Sequence, residues 1–366
     1  VKDVFISSIS FRVPGVRNPA ELKNSDPIFE TASSVIGANN KSIKVGLLDL
    51  NSKSKNIDFM PKKSDAKIMR PDVIASTICA QELIQGIELT ESDWKNTSFY
   101  MANGFCLDRL SDQIQEMSAM YLKPDGLEEN MNKEQIAIVK NQALSRFTPP
   151  LFVLNALTNA AQSFCSQYGG FKYDNTTLGN TSQSTIYNLE EACLDIMEGF
   201  SDRVVVGSSN GAGFYSGFSK QNRTAGELFE SEASAFLLLE SKKSLQDRGA
   251  KPLARISFLE DSKTIPKLFS ANDFNEDQNF LERINKSEVC YYSGVSSKAD
   301  FEEQTELVKK FYPTGKSLFQ TWGNFGVSSQ LIDIIHGISD KTARFDCYNR
   351  DLYGRSSIIT VEVIDD

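Results

Sequence analysis

A single histidine, His336, supplies all the imidazole in 366 residues. That scarcity excludes a two-histidine active site and any metal site built from several imidazoles. Long apolar runs are missing too: none reaches the roughly 18 residues that a bilayer span needs. The opening Val1-Lys2-Asp3-Val4-Phe5 lacks the charged, apolar and small-residue order of a signal peptide, so a cytoplasmic protein is expected. Positive charge is in deficit, with 39 Lys and Arg against 48 Asp and Glu and a net charge of −9. A general nucleic-acid or anionic-membrane binder needs a cationic face, and this balance argues against both. The six cysteines, Cys79, Cys106, Cys165, Cys193, Cys290 and Cys347, stand far apart. No pair has the spacing of a zinc site or redox dithiol, so reduced, mostly buried thiols are expected. Short-period repeats and low-complexity tracts are absent as well, which removes solenoids and disordered scaffolds.

What is present is material for a large core, with 40% apolar residues spread from end to end. Val4 to Phe11 is β-branched and aromatic and stops at Pro14-Gly15, as a strand entering a turn does. From Asp65 to Leu89 the apolar residues recur at helical spacing, and Ser98 to Phe105 then reads as a strand. Residues 107–121 read as a helix and 123–134, around Pro124-Asp125-Gly126, as a surface connection before another helix. After Pro149-Pro150 the pattern gives a long apolar helix through about Gln167, a short strand at 176–178, and a helix over 184–199. A buried strand over 202–209 ends in Gly207-Ser208-Ser209-Asn210-Gly211-Ala212-Gly213. Aromatic residues rather than a helix follow these glycines, so close backbone turns fit better than a phosphate cradle. Strands over 233–240, through 256, 288–292, 343–348 and 357–363 alternate with helices ending at Arg248-Gly249-Ala250 and over 301–311 and 326–338. The expected class is mixed α/β, in two similar halves, 1–250 and 251–366.

The order of these segments, and above all Glu227–Ala250, ELFESEASAFLLLESKKSLQDRGA, resembles the β-ketoacyl synthases of the thiolase superfamily. The stretch is similar to that family's glycine- and glutamate-rich turn, apolar strand, Leu-Glu, short helix and Arg-Gly-Ala ending, with Glu232 at the turn's glutamate. Phe152, Asn155, Asn159, Gly169-Gly170, Gly199, Asp202 and Gly207 fall at family-like spacings, so the resemblance covers nearly the whole chain. It implies a thiolase-like fold, two similar α/β halves in a layered α-β-α-β-α architecture.

The family nucleophile is a cysteine in a Thr-Ala-Cys-small-Ser turn at a helix N-terminus, where the partial positive charge favours a thiolate. Here the turn reads Thr177-Leu178-Gly179-Asn180-Thr181-Ser182-Gln183-Ser184. Ungapped counting from Ala192, Gly199, Asp202 and Gly207 puts Ser182 at the cysteine position and Gln183 one place later. A serine alkoxide is far harder to form than a thiolate, so Ser182 needs a neighbouring base. The family's first histidine, in a His-Gly-Thr stretch, corresponds to Ser293 of Tyr291-Tyr292-Ser293-Gly294-Val295-Ser296. The second follows Lys-Ser in Lys-Ser-x-x-Gly-His. This chain keeps Lys316-Ser317 but continues Leu318-Phe319-Gln320-Thr321-Trp322-Gly323, so spacing selects either Thr321 or Gln320. His336 lies about three turns past Gly326, where a capping or packing role is expected. Of the family's terminal Gly-Phe-Gly-Gly loop, only Gly354 survives in 351–357.

Decarboxylative condensation needs a nucleophile and imidazoles, and the resemblance finds neither, so no catalytic residue is expected. Ser182, Gln183, Ser293, Lys316, Gln320 and Thr321 are degenerate active-site positions. No cofactor or metal is called for. The chain looks like a chain-length factor, the subunit of type II polyketide systems that has lost its cysteine, pairs with an active ketosynthase and bounds its acyl tunnel. A glutamine often occupies the cysteine position in aromatic-polyketide members. The implied partners are a catalytic ketosynthase in a heterodimer and, mainly through it, acyl carrier protein. Leu107–Leu122 and Leu151–Phe164 are the expected tunnel contributors. Two other classes stay open: an acyltransferase or hydrolase using Ser182, with Lys316, and a thiolase-like scaffold without a tunnel role.

Overall fold

Strand β1 (Val4–Arg12) turns at Gly15, whose φ of 77° suits a residue without a side chain. The computed structural model describes residues 3–22, 29–33, 42–48, 50, 59, 61–66, 68–104, 131–147, 157, 159–179, 181–211, 228–262, 275–295, 297–351 and 353–364. After β1 come β2 (Phe29–Ser33) and β3 (Ser42–Gly46). The helical spacing over 65–89 proves to be two helices, α1 (Lys63–Ala66) and α2 (Pro71–Gln85). Pro71 in the first turn makes the break, since its missing N–H is one the helix start does not use. Next are α3 (Glu91–Lys95), opened by a capping box between Thr90 and Asp93, and β4 (Ser98–Gly104).

Helix α4 (Lys133–Phe147) already includes Lys133 and Glu134, the last residues of the expected connection. The expected helix over 107–121 and the start of the one after Pro150 lie outside the described residues. The described part of that second helix is α5 (Ala160–Gly169). There follow β5 (Asn175–Gly179), α6 (Gln183–Glu198) and β6 (Arg203–Asn210). Gly207 sits inside β6, where a Cβ would lie 2.6 Å from the Phe236 ring, so this glycine serves packing. Strands β7 (Leu228–Ser231) and β8 (Ala233–Ser241), helix α7 (Lys242–Asp247) and strand β9 (Ala254–Asp261) lead into the second half. It contains α8 (Asn275–Arg283), β10 (Val289–Ser293), α9 (Lys298–Phe311), β11 (Thr314–Lys316) and α10 (Phe319–Trp322). A 3₁₀ turn, Gly326–Ser328, then leads into α11 (Ser329–Ser339), β12 (Arg344–Arg350) and β13 (Ser356–Val363).

Among the described residues ten strands form one sheet, in the order β11-β10-β12-β13-β9-β1-β8-β6-β4-β5, and β2-β3-β7 form a small second sheet. The large sheet has two wings joined by the antiparallel pair β1–β9. Outward from the joint, each wing repeats one pattern: two antiparallel pairings, then two parallel ones.

The apolar strands are continuous because both faces are covered. In β6, Val204 and Val206 enter a central cluster with Ile186 and Leu189 of α6 and Leu331 and Ile335 of α11, while Val205 faces outward to α2 and α5. In β10, Tyr291 faces the centre, and Cys290 and Tyr292 pack toward Phe280 of α8 and Val308 of α9. The three clusters define the expected layers: α2 and α5, one wing, α6 and α11, the other wing, α8 and α9.

Candidate functional site

The parallel strands β4, β6, β10 and β12 end where α6 and α11 begin, the place where sheets of this kind bind ligands. Ser182 precedes α6 in helical conformation without capping it, and its buried Oγ has no hydrogen-bond partner. Gln183, fully buried as the first helical residue, turns its carboxamide across to the other wing. Its Nε2 donates to the Arg355 carbonyl at 3.1 Å, to Asn349 Oδ1 at 3.3 Å and to the Asn349 carbonyl at 3.4 Å. Gln183 Oε1 is left buried without a partner.

Asn349 and Ser293 are neighbours in the parallel register of β12 and β10, which brings Asn349 Nδ2 to 3.2 Å from Ser293 Oγ. Ser293 Oγ in turn donates to the Asp333 carboxylate on α11. Burial pushes the Asp333 carboxyl up from 3.8 to about 7, with the Ser293 hydroxyl acting in the opposite direction. Gln304 of α9 holds the Ser293 carbonyl at 2.9 Å.

Glycines set the turns around this row. Gly294 has φ 103°, and a Cβ there would lie 2.1 Å from the Arg350 carbonyl oxygen. Gly323 has φ 71°, with the Phe229 carbonyl oxygen 2.5 Å from the position of a Cβ. The next residue, Asn324, is pinned to β7 by Asn324 N–H to Phe229 O at 2.8 Å and Ser231 N–H to Asn324 O at 2.9 Å. Its Nδ2 donates to the Gly294 carbonyl at 3.3 Å, and its Oδ1 accepts from Gly326 N at 3.1 Å and Ser329 Oγ at 2.8 Å. The loop after β12 is folded by Asp351, whose Oδ1 accepts from Tyr353 N at 2.8 Å and Arg355 N at 3.0 Å. Burial raises the Asp351 carboxyl, and these backbone donors oppose the shift. Glu232 is buried and accepts from Leu48 N at 2.8 Å, a bond that ties the small sheet to the large one.

Of the residues singled out by the sequence, Gln183 and Ser293 thus meet through Asn349, with Ser182 next to Gln183 in the chain. Lys316 does not join them: its Nζ donates to Asp340 Oδ2 at 2.8 Å and Tyr291 OH at 3.2 Å. Asp340 follows the C-terminus of α11, about 16 Å along that helix from its start. Gln320 and Thr321 are exposed on α10. His336 is buried against Tyr291, ring centroids 4.9 Å apart, at the packing position expected for it. Cys79, Cys165, Cys193, Cys290 and Cys347 are free and buried. Burial raises the first three thiols to about 12, far from a reactive thiolate. Cys106 lies outside the described residues. Among the described residues no three His, Cys, Asp or Glu side chains are grouped to hold a metal, and no helix is long and apolar enough to cross a membrane.

Asn324, Asn349 and Asp333 are the site residues that sequence reasoning missed. A signal existed for two of them: Gly323-Asn324 is a Gly-polar pair downstream of Lys316-Ser317, and Asp333 is a lone charge among Leu331, Ile332, Ile334 and Ile335. Chemically, the row supplies amides and hydroxyls already engaged with one another. A carboxamide is neither nucleophile nor base, and the described hydrogen bonds give Ser182 no base.

No family model matches the chain, and no curated protein matches it by sequence. Solved structures do. One is a type II polyketide synthase ketosynthase bound to the hexaketide, solved in complex with its acyl-carrier protein. The likeness covers 100% of both chains with a TM-score of 0.69 at 14% identity. Another is ketosynthase twelve from the bacillaene polyketide synthase of Bacillus amyloliquefaciens, covering 100% of this chain and 74% of that one, with a TM-score of 0.64 at 13% identity. The fold is therefore ketosynthase-like, of the layered thiolase type.

Proposed function

We propose that this protein is a noncatalytic ketosynthase-like subunit, of the chain-length-factor kind, that pairs with an active β-ketoacyl synthase and shapes its acyl tunnel. The observation that carries the reading is Gln183. At the head of α6, one place after Ser182, which the resemblance puts at the family's cysteine, a buried carboxamide is tied to Asn349 and the Arg355 carbonyl. Ser293 stands for the first imidazole. Asn324, after Gly323 and bonded to the Gly294 carbonyl, stands for the second in preference to Gln320 or Thr321.

One further observation supports pairing, and another supports a carrier-protein partner. Strand β5 ends the large sheet, with Asn175 and Thr176 exposed, and among the described residues it has one strand neighbour, β4. An open edge of this kind is a template for a partner strand, directly before the turn that carries Ser182. A solved ketosynthase of this fold is also seen with acyl-carrier protein. Carrier proteins are acidic and this chain carries −9, so carrier docking falls mainly to the catalytic subunit.

The mechanism is steric. The resemblance implies that apolar side chains of 107–122 and 151–164, of which 107–122, 151–156 and 158 lie outside the described residues, close the far end of the partner's tunnel, and one more two-carbon unit would overpack it at about 1–3 kcal/mol. The protein works in the cytoplasm as one compact unit of two halves, 1–250 and 251–366. Co-expression with the ketosynthase encoded beside it tests the reading. A tight heterodimer is expected, with carrier-bound product lengths that change when residues of 151–164 are made smaller. Isolation as an active homodimer contradicts it. The Ser182 acyltransferase reading loses support from the position of Lys316, which is engaged with Asp340.

A further inference from the structure

We propose that Asp333 is a positioning residue for Gln183, acting through Ser293 and Asn349. The inference deepens the reading of Gln183 as the carboxamide next to the family's nucleophile position, and it takes its functional meaning from that reading. Its physical content stands on the hydrogen bonds alone.

The four side chains form a row in which every donor points the same way. Gln183 Nε2 donates to Asn349 Oδ1 at 3.3 Å, Asn349 Nδ2 donates to Ser293 Oγ at 3.2 Å, and Ser293 Oγ donates to Asp333 Oδ2. Gln183, Asn349 and Asp333 are each at most 2% exposed, and Ser293 between them is partly buried. A carboxamide turned over by half a revolution occupies nearly the same volume, and only its hydrogen-bond partners choose the orientation. Asp333 makes that choice at the far end. Ser293 has one hydroxyl proton, and while Asp333 is ionised, above about pH 7, giving it to the carboxylate leaves Oγ only lone pairs to offer Asn349. Asn349 must then present Nδ2 to Ser293 and Oδ1 to Gln183. The Arg355 carbonyl holds one Nε2 hydrogen of Gln183, and Asn349 holds the other through Oδ1 at 3.3 Å and its backbone carbonyl at 3.4 Å. With both hydrogens held, Oε1 is forced to the side where it has no partner. The two wings meet in this row, since Gln183 belongs to α6 and the other three residues to β12, β10 and α11.

The test uses the isolated full-length chain, so a missing ketosynthase partner would not bear on it. Glutamine side-chain amides are labelled with ¹⁵N, and the Gln183 NH₂ pair is assigned by its loss in Gln183→Glu. In Ser293→Ala and Asp333→Ala the pair is expected to shift, and its exchange with solvent to rise about five- to tenfold, the loss of one buried bond. Asp333→Asn keeps an acceptor for Ser293 and should restore the wild-type position. Thr360→Val serves as a control, because it removes a 2.7 Å hydroxyl–carboxylate bond to Asp346 on the same sheet and should leave the pair where it is. An unmoved Gln183 pair in Ser293→Ala, or an equal shift in Thr360→Val, would overturn the proposal. If Asp333→Ala does not fold, Ser293→Ala and Asp333→Asn decide it.

Discussion

The two central helices start in opposite ways. Helix α11 begins on Asn324, whose Oδ1 takes Gly326 N and Ser329 Oγ and whose Nδ2 takes the Gly294 carbonyl, leaving Gln330 Oε1 as the buried atom without a partner in its first turn. Positive-φ glycines at 294, 323 and 326 press these turns against backbone and side chains. Helix α6 begins with a surplus. Ser182 Oγ and Gln183 Oε1 have no partner, and Gln183 leans on the opposite wing for its bonds. One wing is built to hold and the other to present, although both repeat the same strand order. The surplus lies where the resemblance puts the family nucleophile and the residue after it.

The comparison breaks most visibly at the glycines. Gly294→Ala places a Cβ 2.1 Å from the Arg350 carbonyl oxygen at φ 103°. It should cost roughly 3 kcal/mol or more, read as a lower denaturation midpoint. Asn324→Ala comes next, at about 2–3 kcal/mol, because it strands the Gly294 carbonyl and the Ser329 hydroxyl in the interior.

A pH series on Asp333→Asn sharpens the contrast. Folding raises this carboxyl from 3.8 to about 7, so the folded chain binds its proton more tightly than the unfolded chain does. The wild type is then most favoured, relative to the variant, below about pH 4. It loses roughly 1.4 kcal/mol per pH unit up to about pH 7 and nothing further above that. A gap in midpoint that does not change with pH would remove the buried carboxyl from the account. Ser182→Ala is the smallest effect: deleting a buried hydroxyl with no partner should change stability by no more than about 0.5 kcal/mol, in either direction.

Strands β6 and β8 were legible in the sequence because burial on both faces demands continuous apolar runs, Val204-Val205-Val206 and Phe236-Leu237-Leu238-Leu239. Helix α6 was legible through its apolar period and its glycine stop at 199. The small sheet was not. Strands β3 and β7 pair in parallel, Ile43 with Leu228, across most of the N-terminal half, and no local pattern announces such a partner. Ser182, Gln183 and Ser293 were singled out by the family resemblance, and the structure links Gln183 to Ser293 through Asn349. Asn349 could not be, because its role comes from lying beside Ser293 in the register of β10 and β12. Lys316 carried a motif signal, and its side chain turned out to serve the far end of α11.

The central claim is that the head of α6 no longer takes up an acyl group. Intact-protein mass spectrometry after incubation with an acyl-carrier thioester, on this chain alone and on a mixture with the proposed ketosynthase partner, tests it most directly. The account predicts an unmodified mass for this chain in both samples and an acyl adduct on the ketosynthase. A stoichiometric acyl adduct on this chain, mapped to Ser182, would contradict it.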